Sequence, residues 1–269
     1  MKLTVVGCSG SMPGPTSPAS SYLLQSTQPL AQRESPWNVL LDLGSGAFGP
    51  LQSLIAPDAL DAVLISHLHA DHCADITALA VWLRYGPRSP APPLLVIGPD
   101  GTAERIAELT MMTPQEVADT FDIRTVHDRE RLQIGPFVVE AHEVRHPVTA
   151  FAFRVTGLGQ GADGEFRPAV LTYTGDTDAC AGVETAASVV DLLLSEAAFT
   201  DGVDDIRGIH LTGSRAGELA RGAGVASLVL THIQPWADVE RVRAAATAQY
   251  GGPVTIAAPG QVYRLPARP

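Results

Sequence analysis

The stretch Ser-His-Leu-His-Ala-Asp-His, residues 66–72, places three imidazoles and one carboxylate within six consecutive positions. The apolar run before it, residues 61–65, is typical of a buried strand. The segment that begins at Asp75 has the apolar spacing of a helix. We therefore predict that this cluster lies on a strand-to-helix loop, where a rigid scaffold can aim several side chains at one point.

These donors suit a metal site. Alternate residues of an extended segment face the same way, so His67 and His69 can bind one ion, while Asp71 and His72 turn away and can serve a second. Zinc and similar cations accept imidazole and carboxylate ligands at about 2 Å. The alternative is a polar loop with incidental histidines, but histidine is scarce here, at 8 of 269 residues.

The pattern His-x-His-x-Asp-His after a strand resembles the signature of metallo-β-lactamase-fold hydrolases. Three later landmarks of that superfamily follow in order and are matched by His146, Asp176 and His232. Either histidine alone would more often be structural. The resemblance covers nearly the whole chain and implies an α/β fold, a four-layer αββα sandwich of two mixed β-sheets flanked by helices.

The resemblance also implies two divalent metal ions, with zinc favoured and manganese accommodated. Three imidazoles would hold the first ion: His67, His69 and His146. Three further side chains would hold the second: Asp71, His72 and His232. Asp176 would bridge both ions together with a hydroxide, which forms near neutral pH between two cations. A single structural zinc is the alternative, but such sites close with four ligands.

Two residues near the ligands have open roles. In the superfamily an Asp at the position of Asp42 supports the metal loop from behind, so Asp42 is our candidate for that role. Cys73 adjoins the motif and is either a soft ligand or, more in keeping with its type, a small buried residue. His127 and His142 match no position of the family.

A second motif bears on the reaction. In the phosphodiesterase branch, which includes ribonuclease Z, a strand ends in Glu-Ala and a His-x-Thr opens the next helix. Glu196 and His210 match these positions. The resemblance makes His210 the proton donor to the leaving oxygen, oriented by Glu196. With Asp71 they are the candidate catalytic residues; the alternative is that His210 is an ordinary residue of a capping loop.

Within that branch the chain is most similar to the actinobacterial cyclic-nucleotide phosphodiesterases, in residues 7–11, 18–20, 67–73, 81–85 and 230–236. This implies hydrolysis of small phosphodiesters such as cAMP by the metal-bridged hydroxide. A ribonuclease Z-like tRNA 3′-end endonuclease is the alternative, but the interval between His146 and Asp176, where many such enzymes carry a tRNA-binding arm, is short. A non-catalytic metal-binding protein is the third hypothesis, although inactive relatives usually lose ligands.

Chain length, net charge and the distribution of apolar residues limit the domain organisation and the kinds of binding partner. The ligands span most of the 269 residues, so we expect a single domain over 1–269. The net charge of −11 and the lack of a basic stripe disfavour long nucleic acid as a partner, but not a small phosphate ester.

No signal peptide or membrane-spanning run is visible, so we expect a cytoplasmic protein that does not bind membranes. By resemblance we expect a homodimer.

Overall fold

The computed structural model describes residues 1–28, 33, 35–161 and 163–265. Within these ranges fourteen strands form in the order β1 (Lys2–Gly7), β2 (Ser21–Gln25), β3 (Asn38–Leu41), β4 (Ala62–Leu64), β5 (Leu94–Gly98), β6 (Phe121–Thr125), β7 (Arg131–Ile134), β8 (Phe137–Glu143), β9 (Phe151–Gln160), β10 (Phe166–Tyr173), β11 (Leu192–Glu196), β12 (Leu228–Thr231), β13 (Val254–Ile256) and β14 (Val262–Arg264). The α-helices of the same ranges are α1 (Phe48–Gln52), α2 (Ala70–Cys73), α3 (Ile76–Tyr85), α4 (Thr102–Thr110), α5 (Pro114–Thr120), α6 (Ala181–Ala187), α7 (Gly213–Ala223) and α8 (Val239–Tyr250).

The strands form two seven-stranded mixed sheets, in the orders β14-β1-β2-β3-β4-β5-β6 and β13-β12-β11-β10-β9-β8-β7. A shared apolar core, which includes Tyr22, Phe137 and Phe153, lies between the sheets. A second apolar cluster packs α3, α4 and α5 on the outer face of the first sheet. A third packs α6, α7 and α8 on the second sheet. The four-layer αββα sandwich is confirmed.

The sheets bring together the loops that carry the candidate metal ligands. β3, β4 and β5 run parallel in one sheet, and β10, β11 and β12 run parallel in the other. Side chains at the carboxyl ends of parallel strands meet at one edge, the usual place for a site in such sheets. The backbone N–H of Phe151 donates to Ser66 O (2.9 Å), which ties the two edges to each other.

The helix that the sequence predicts from Asp75 onward is confirmed as α3. The Gly-rich sequence of residues 157–167 predicts a hairpin loop. This prediction is wrong at both ends, because β9 extends to Gln160 and β10 begins at Phe166. Gly157 belongs to β9, where a Cβ would lie 2.9 Å from Phe137 Cδ1. That glycine serves close packing and not a turn.

The apolar sequence of residues 189–194 predicts a buried strand, and this prediction is wrong at its start. β11 begins only at Leu192, because Val189 lies in the left-handed region (φ 52°) and is exposed. The sequence also predicts a hairpin between residues 24 and 39, part of which lies outside the described residues. Positions 162 and 266–269 lie outside them as well. No helix in the described part of the chain is long and apolar enough to span a membrane.

Candidate metal centre

Three imidazole nitrogens converge at the first cluster. His69 Nδ1 lies 2.9 Å from His67 Nε2 and 3.2 Å from His146 Nε2. His67 and His69 come from the loop after β4, whereas His146 follows β8 in the other sheet. The two sheets therefore complete this cluster jointly, and it contains the three residues that the sequence assigned to one ion.

The second cluster joins a carboxylate to two buried imidazoles. Asp71 Oδ2 lies 3.5 Å from His72 Nε2 and 3.7 Å from His232 Nε2. Both imidazoles are almost fully buried, and His232 follows directly on β12. His232 adopts φ 53°, the left-handed region that non-glycine residues seldom occupy, and such outliers concentrate at functional sites.

Asp176 lies between the two clusters. Its Oδ1 is 3.2 Å from His72 Nε2, and its Oδ2 is 3.3 Å from His232 Nε2. The same Oδ2 is 3.7 Å from His67 Nε2, which belongs to the first cluster. One carboxylate thus reaches donors of both clusters, as a bridging ligand must.

The unsatisfied atoms of this centre fit bound cations. His72 Nε2 and Asp176 Oδ1 are both buried and have no hydrogen-bond partner, an arrangement that is costly unless another species satisfies them. A divalent cation bound by both atoms would remove that cost. The imidazole and carboxylate donors match the ligand preferences of zinc and manganese.

The pKa shifts of the side chains at this centre also fit bound cations. Burial lowers the pKa of His67 and of His232, which favours the neutral imidazole form that a metal ligand requires. Burial raises the pKa of Asp176, but the surrounding histidines outweigh this effect and hold it well below its ordinary value. His72 is also buried, yet Asp176 and Asp42 raise its pKa well above the ordinary value. A carboxylate charge here is met either by a proton on His72 or by a cation.

Asp42 supports the second cluster from behind. Its side chain is fully buried, and His72 Nδ1 donates to its Oδ2 at 2.7 Å. The Ser66 hydroxyl and the Tyr173 hydroxyl donate to the same oxygen, each at 2.7 Å. Asp42 therefore fixes the tautomer that leaves His72 Nε2 facing the centre. This is the role that the sequence suggested for Asp42.

Other orienting groups could not be inferred from motifs. His146 Nδ1 donates to the Ile209 carbonyl (2.9 Å), and His232 Nδ1 lies 2.9 Å from Ser20 Oγ. The Ser11 N–H donates to His232 Nε2 at 3.2 Å, so this nitrogen carries the lone pair and Nδ1 carries the proton. The Gly- and Ser-rich composition of residues 7–11 was the available signal for Ser11, whereas nothing in the sequence marked Ser20 or Ile209.

Glu196 and His210 form a buried pair beside the centre. Glu196 ends β11, is fully buried, and its Oε1 accepts from His210 Nδ1 at 2.9 Å. The N–H groups of Thr177 and Ala198 also donate to this carboxylate. Burial lowers the pKa of His210, but the charge of Glu196 outweighs it and raises that pKa to about 9. His210 can therefore carry a proton at neutral pH.

His210 lies close to both clusters. Its Nδ1 is 3.9 Å from Asp176 Oδ2, and its ring centre is 5.4 Å from that of His146. The structure thus brings together all nine residues that the sequence selected for the site. Three doubtful residues do not join the clusters. Cys73 is buried with its thiol hydrogen-bonded to backbone carbonyls, His127 is exposed and His142 is buried elsewhere.

Comparison with known proteins places this geometry in context. A family model described as the β-lactamase superfamily domain matches residues 37–233. The uncharacterized protein ML1173 of Mycobacterium leprae is 38% identical over 99% of this chain and 89% of its own length. A ribonuclease Z of Mycobacterium marinum is 27% identical over 95% of each chain.

The probable metallo-hydrolase YhfI of Bacillus subtilis is 31% identical over 98% of this chain and 99% of its own length. The crystal structure of YhfI, described as a metallo-β-lactamase fold protein, superposes with a TM-score of 0.81 at 29% identity. The superposition covers 97% of this chain and 98% of that one.

Proposed function

We propose a hydrolytic function for this chain, which belongs to the β-lactamase superfamily and has the metallo-β-lactamase fold. We infer that it is a dinuclear metal-dependent phosphodiesterase for small phosphodiesters, with 3′,5′-cyclic nucleotides such as cAMP as its favoured substrates. The observation that carries this proposal is the Glu196–His210 pair at the edge of a seven-ligand cluster.

The metal ligands would be His67, His69 and His146 for one ion, and Asp71, His72 and His232 for the other, with Asp176 shared. Divalent cations bound there would lower the pKa of a coordinated water and offset the charge on a phosphoryl oxygen. The chain itself orients these ligands through Asp42, Ser20 and the Ile209 carbonyl.

His210 would complete the reaction at the leaving oxygen. Its Nδ1 proton is engaged by Glu196, so Nε2 is the nitrogen free to give a proton. Hydroxide derived from water would form the new bond to phosphorus while the bond between phosphorus and the ribose 3′-oxygen breaks. That oxygen would take the Nε2 proton and become the 3′-hydroxyl of the product. An alkoxide is a poor leaving group, so a proton donor at this position should increase the hydrolysis rate most for an alkyl phosphodiester.

A ribonuclease Z-like activity is the alternative. Much of the interval between His146 and Asp176 is occupied by β9 and β10, which pair with each other in the second sheet. The acidic net charge of −11 also opposes a polyanionic substrate, since such proteins usually bind phosphates with a basic surface. Both features favour a small substrate.

A substrate panel tests the proposal. Purified protein with Zn²⁺ or Mn²⁺ is assayed on cAMP, cGMP, bis(p-nitrophenyl) phosphate and precursor tRNA. We expect turnover of the cyclic nucleotides and of the synthetic diester, and none of the tRNA. Cleavage of the tRNA alone would instead support the endonuclease, and no turnover of any substrate would reject the hydrolytic proposal.

The metal content is a separate prediction. Protein purified without chelator should contain close to two transition-metal ions per chain, because three ligands serve each cluster and Asp176 serves both. Elemental analysis of the pure protein measures this directly. A fully active preparation with one ion per chain would contradict the dinuclear centre.

We also propose a homodimer. Tyr85 and Trp236 are 72% and 66% exposed and are candidate contact residues. Trp82 is a weaker candidate because it is half-buried and packs edge-on against Phe48, with ring centres 6.4 Å apart. Light scattering at micromolar concentration should give the mass of two chains, and Tyr85→Ser and Trp236→Ser should show which surface is used. The mass of one chain would reject the dimer.

A further inference from the structure

Asp178 is a buried carboxylate that no part of the proposed mechanism uses. It lies two residues beyond Asp176, and its side chain is fully inaccessible. Its Oδ2 accepts from Arg207 Nε and from the Gly208 N–H, each at 2.7 Å. Its Oδ1 accepts from Arg215 Nη1 at 2.7 Å and from the Ala179 N–H at 2.8 Å. Four donors therefore saturate this carboxylate.

The donors to this carboxylate are charged side chains as well as backbone N–H groups. Two arginines flank it, and the side chain of Arg215 is only 12% exposed. Charge-assisted bonds of this kind are short and strong, so they can fix a loop rigidly.

Asp178 holds residues 207–210, which we call the donor loop. This loop carries two groups that contact the candidate site, the Ile209 carbonyl and the His210 imidazole. Next to Gly208, the Ile209 carbonyl accepts from His146 Nδ1, and the following residue, His210, donates to Glu196. On its other side the Asp178 N–H donates to Arg145 O (2.9 Å), beside His146. Asp178 thus contacts the chain next to both histidines.

We propose that Asp178 is a positioning residue, which holds the donor loop so that His210 faces the leaving group and His146 faces the first metal ion. The part that concerns His210 rests on the function proposed above. The rest of the segment is attached independently, since the Phe199 N–H donates to Leu211 O and Thr212 Oγ1 donates to Asp201. Loss of Asp178 should therefore loosen the donor loop without releasing α7.

The first test compares Asp178→Asn with a matched control, Asp61→Asn. The Asp61 carboxylate also accepts hydrogen bonds from an arginine, Arg33 (2.6 Å), and from a backbone N–H, that of Asn38 (2.8 Å). It lies just before β4 and does not contact the donor loop through these bonds. In Asp178→Asn the kcat for cAMP should fall about 10- to 100-fold, the usual cost of losing such a supporting group. With metal ions supplied in excess, the kcat for bis(p-nitrophenyl) phosphate should change little, and Asp61→Asn should leave the ratio of the two rates unaltered.

The second test separates positioning from general destabilisation. In the His210→Ala background, Asp178→Asn should not lower the ratio of the cAMP rate to the synthetic-diester rate any further, because the group it positions is gone. Multiplicative losses in that background, or an unchanged ratio in folded, metal-loaded Asp178→Asn, would overturn the proposal. If that variant does not fold, Arg207→Met replaces it, since the Arg207 side chain is 58% exposed and its replacement should disturb the fold less.

A readout without substrate keeps the test independent of the proposed function. Once the donor loop loosens, the Ile209 carbonyl should no longer fix the orientation of His146. His146 should then hold metal more weakly, so chelator competition should remove the first ion from Asp178→Asn at about tenfold lower chelator concentration. Absence of wild-type turnover would reject the phosphodiesterase proposal but leave this measurement valid. In that case an unchanged chelator midpoint would overturn the role of Asp178.

Discussion

Replacing Asp176 by alanine should remove both metal ions and reduce hydrolysis to the background rate. Asp176 Oδ2 lies 3.3 Å from His232 Nε2 and 3.7 Å from His67 Nε2, so one carboxylate serves both clusters. Asp176 is only 2% exposed. Its negative charge would offset the positive charge of the cations that bind among these histidines. Elemental analysis and assays on the synthetic diester measure the two losses.

A second substitution makes this result specific to a bridging ligand. Asp71→Ala removes a carboxylate from the second cluster alone, because Asp71 Oδ2 lies near His72 and His232. This variant should retain about one ion per chain, held by three intact imidazoles. Asp163→Ala, which alters an exposed carboxylate paired with Arg167, should retain two ions. Retention of both ions by Asp176→Ala would contradict the bridging role.

The sequence predicted which side chains converge at the candidate metal centre because one dense motif and three later residues follow strands, and a strand end fixes where the next side chain can lie. It did not predict Tyr173 as a partner of Asp42, since these residues are 131 positions apart and meet only when the two sheets pack. The Ile209 carbonyl was equally invisible, because a backbone acceptor has no side chain by which it could be recognised.

The errors in the elements have a similar cause. Glycine between two apolar runs favours a turn on local grounds. In β9, however, Gly157 lies against the ring of Phe137, a residue of the neighbouring strand. The local signal and the tertiary requirement call for the same residue, so composition alone could not distinguish a loop from a closely packed strand. Element bounds there depend on a contact between strands.

His210→Ala should keep both metal ions yet lose most activity on cAMP. The Nδ1 of His210 is bound to Glu196, and His210 is not among the seven proposed ligands. Removal of a general acid typically costs about 10²- to 10⁴-fold, so the cAMP rate should fall at least about a hundredfold. The p-nitrophenolate group leaves without protonation, so the rate on bis(p-nitrophenyl) phosphate should fall much less.

Two further variants define what the loss means. Glu196→Gln should show a milder form of the same selectivity, because Glu196 orients His210 and raises its pKa against the effect of burial. His127→Ala changes an exposed histidine remote from both clusters and should leave both rates intact. The decisive quantity is the ratio of the two rates at equal metal content. Equal losses on both substrates in His210→Ala would show that this imidazole supports the centre in some other way and does not protonate the leaving oxygen.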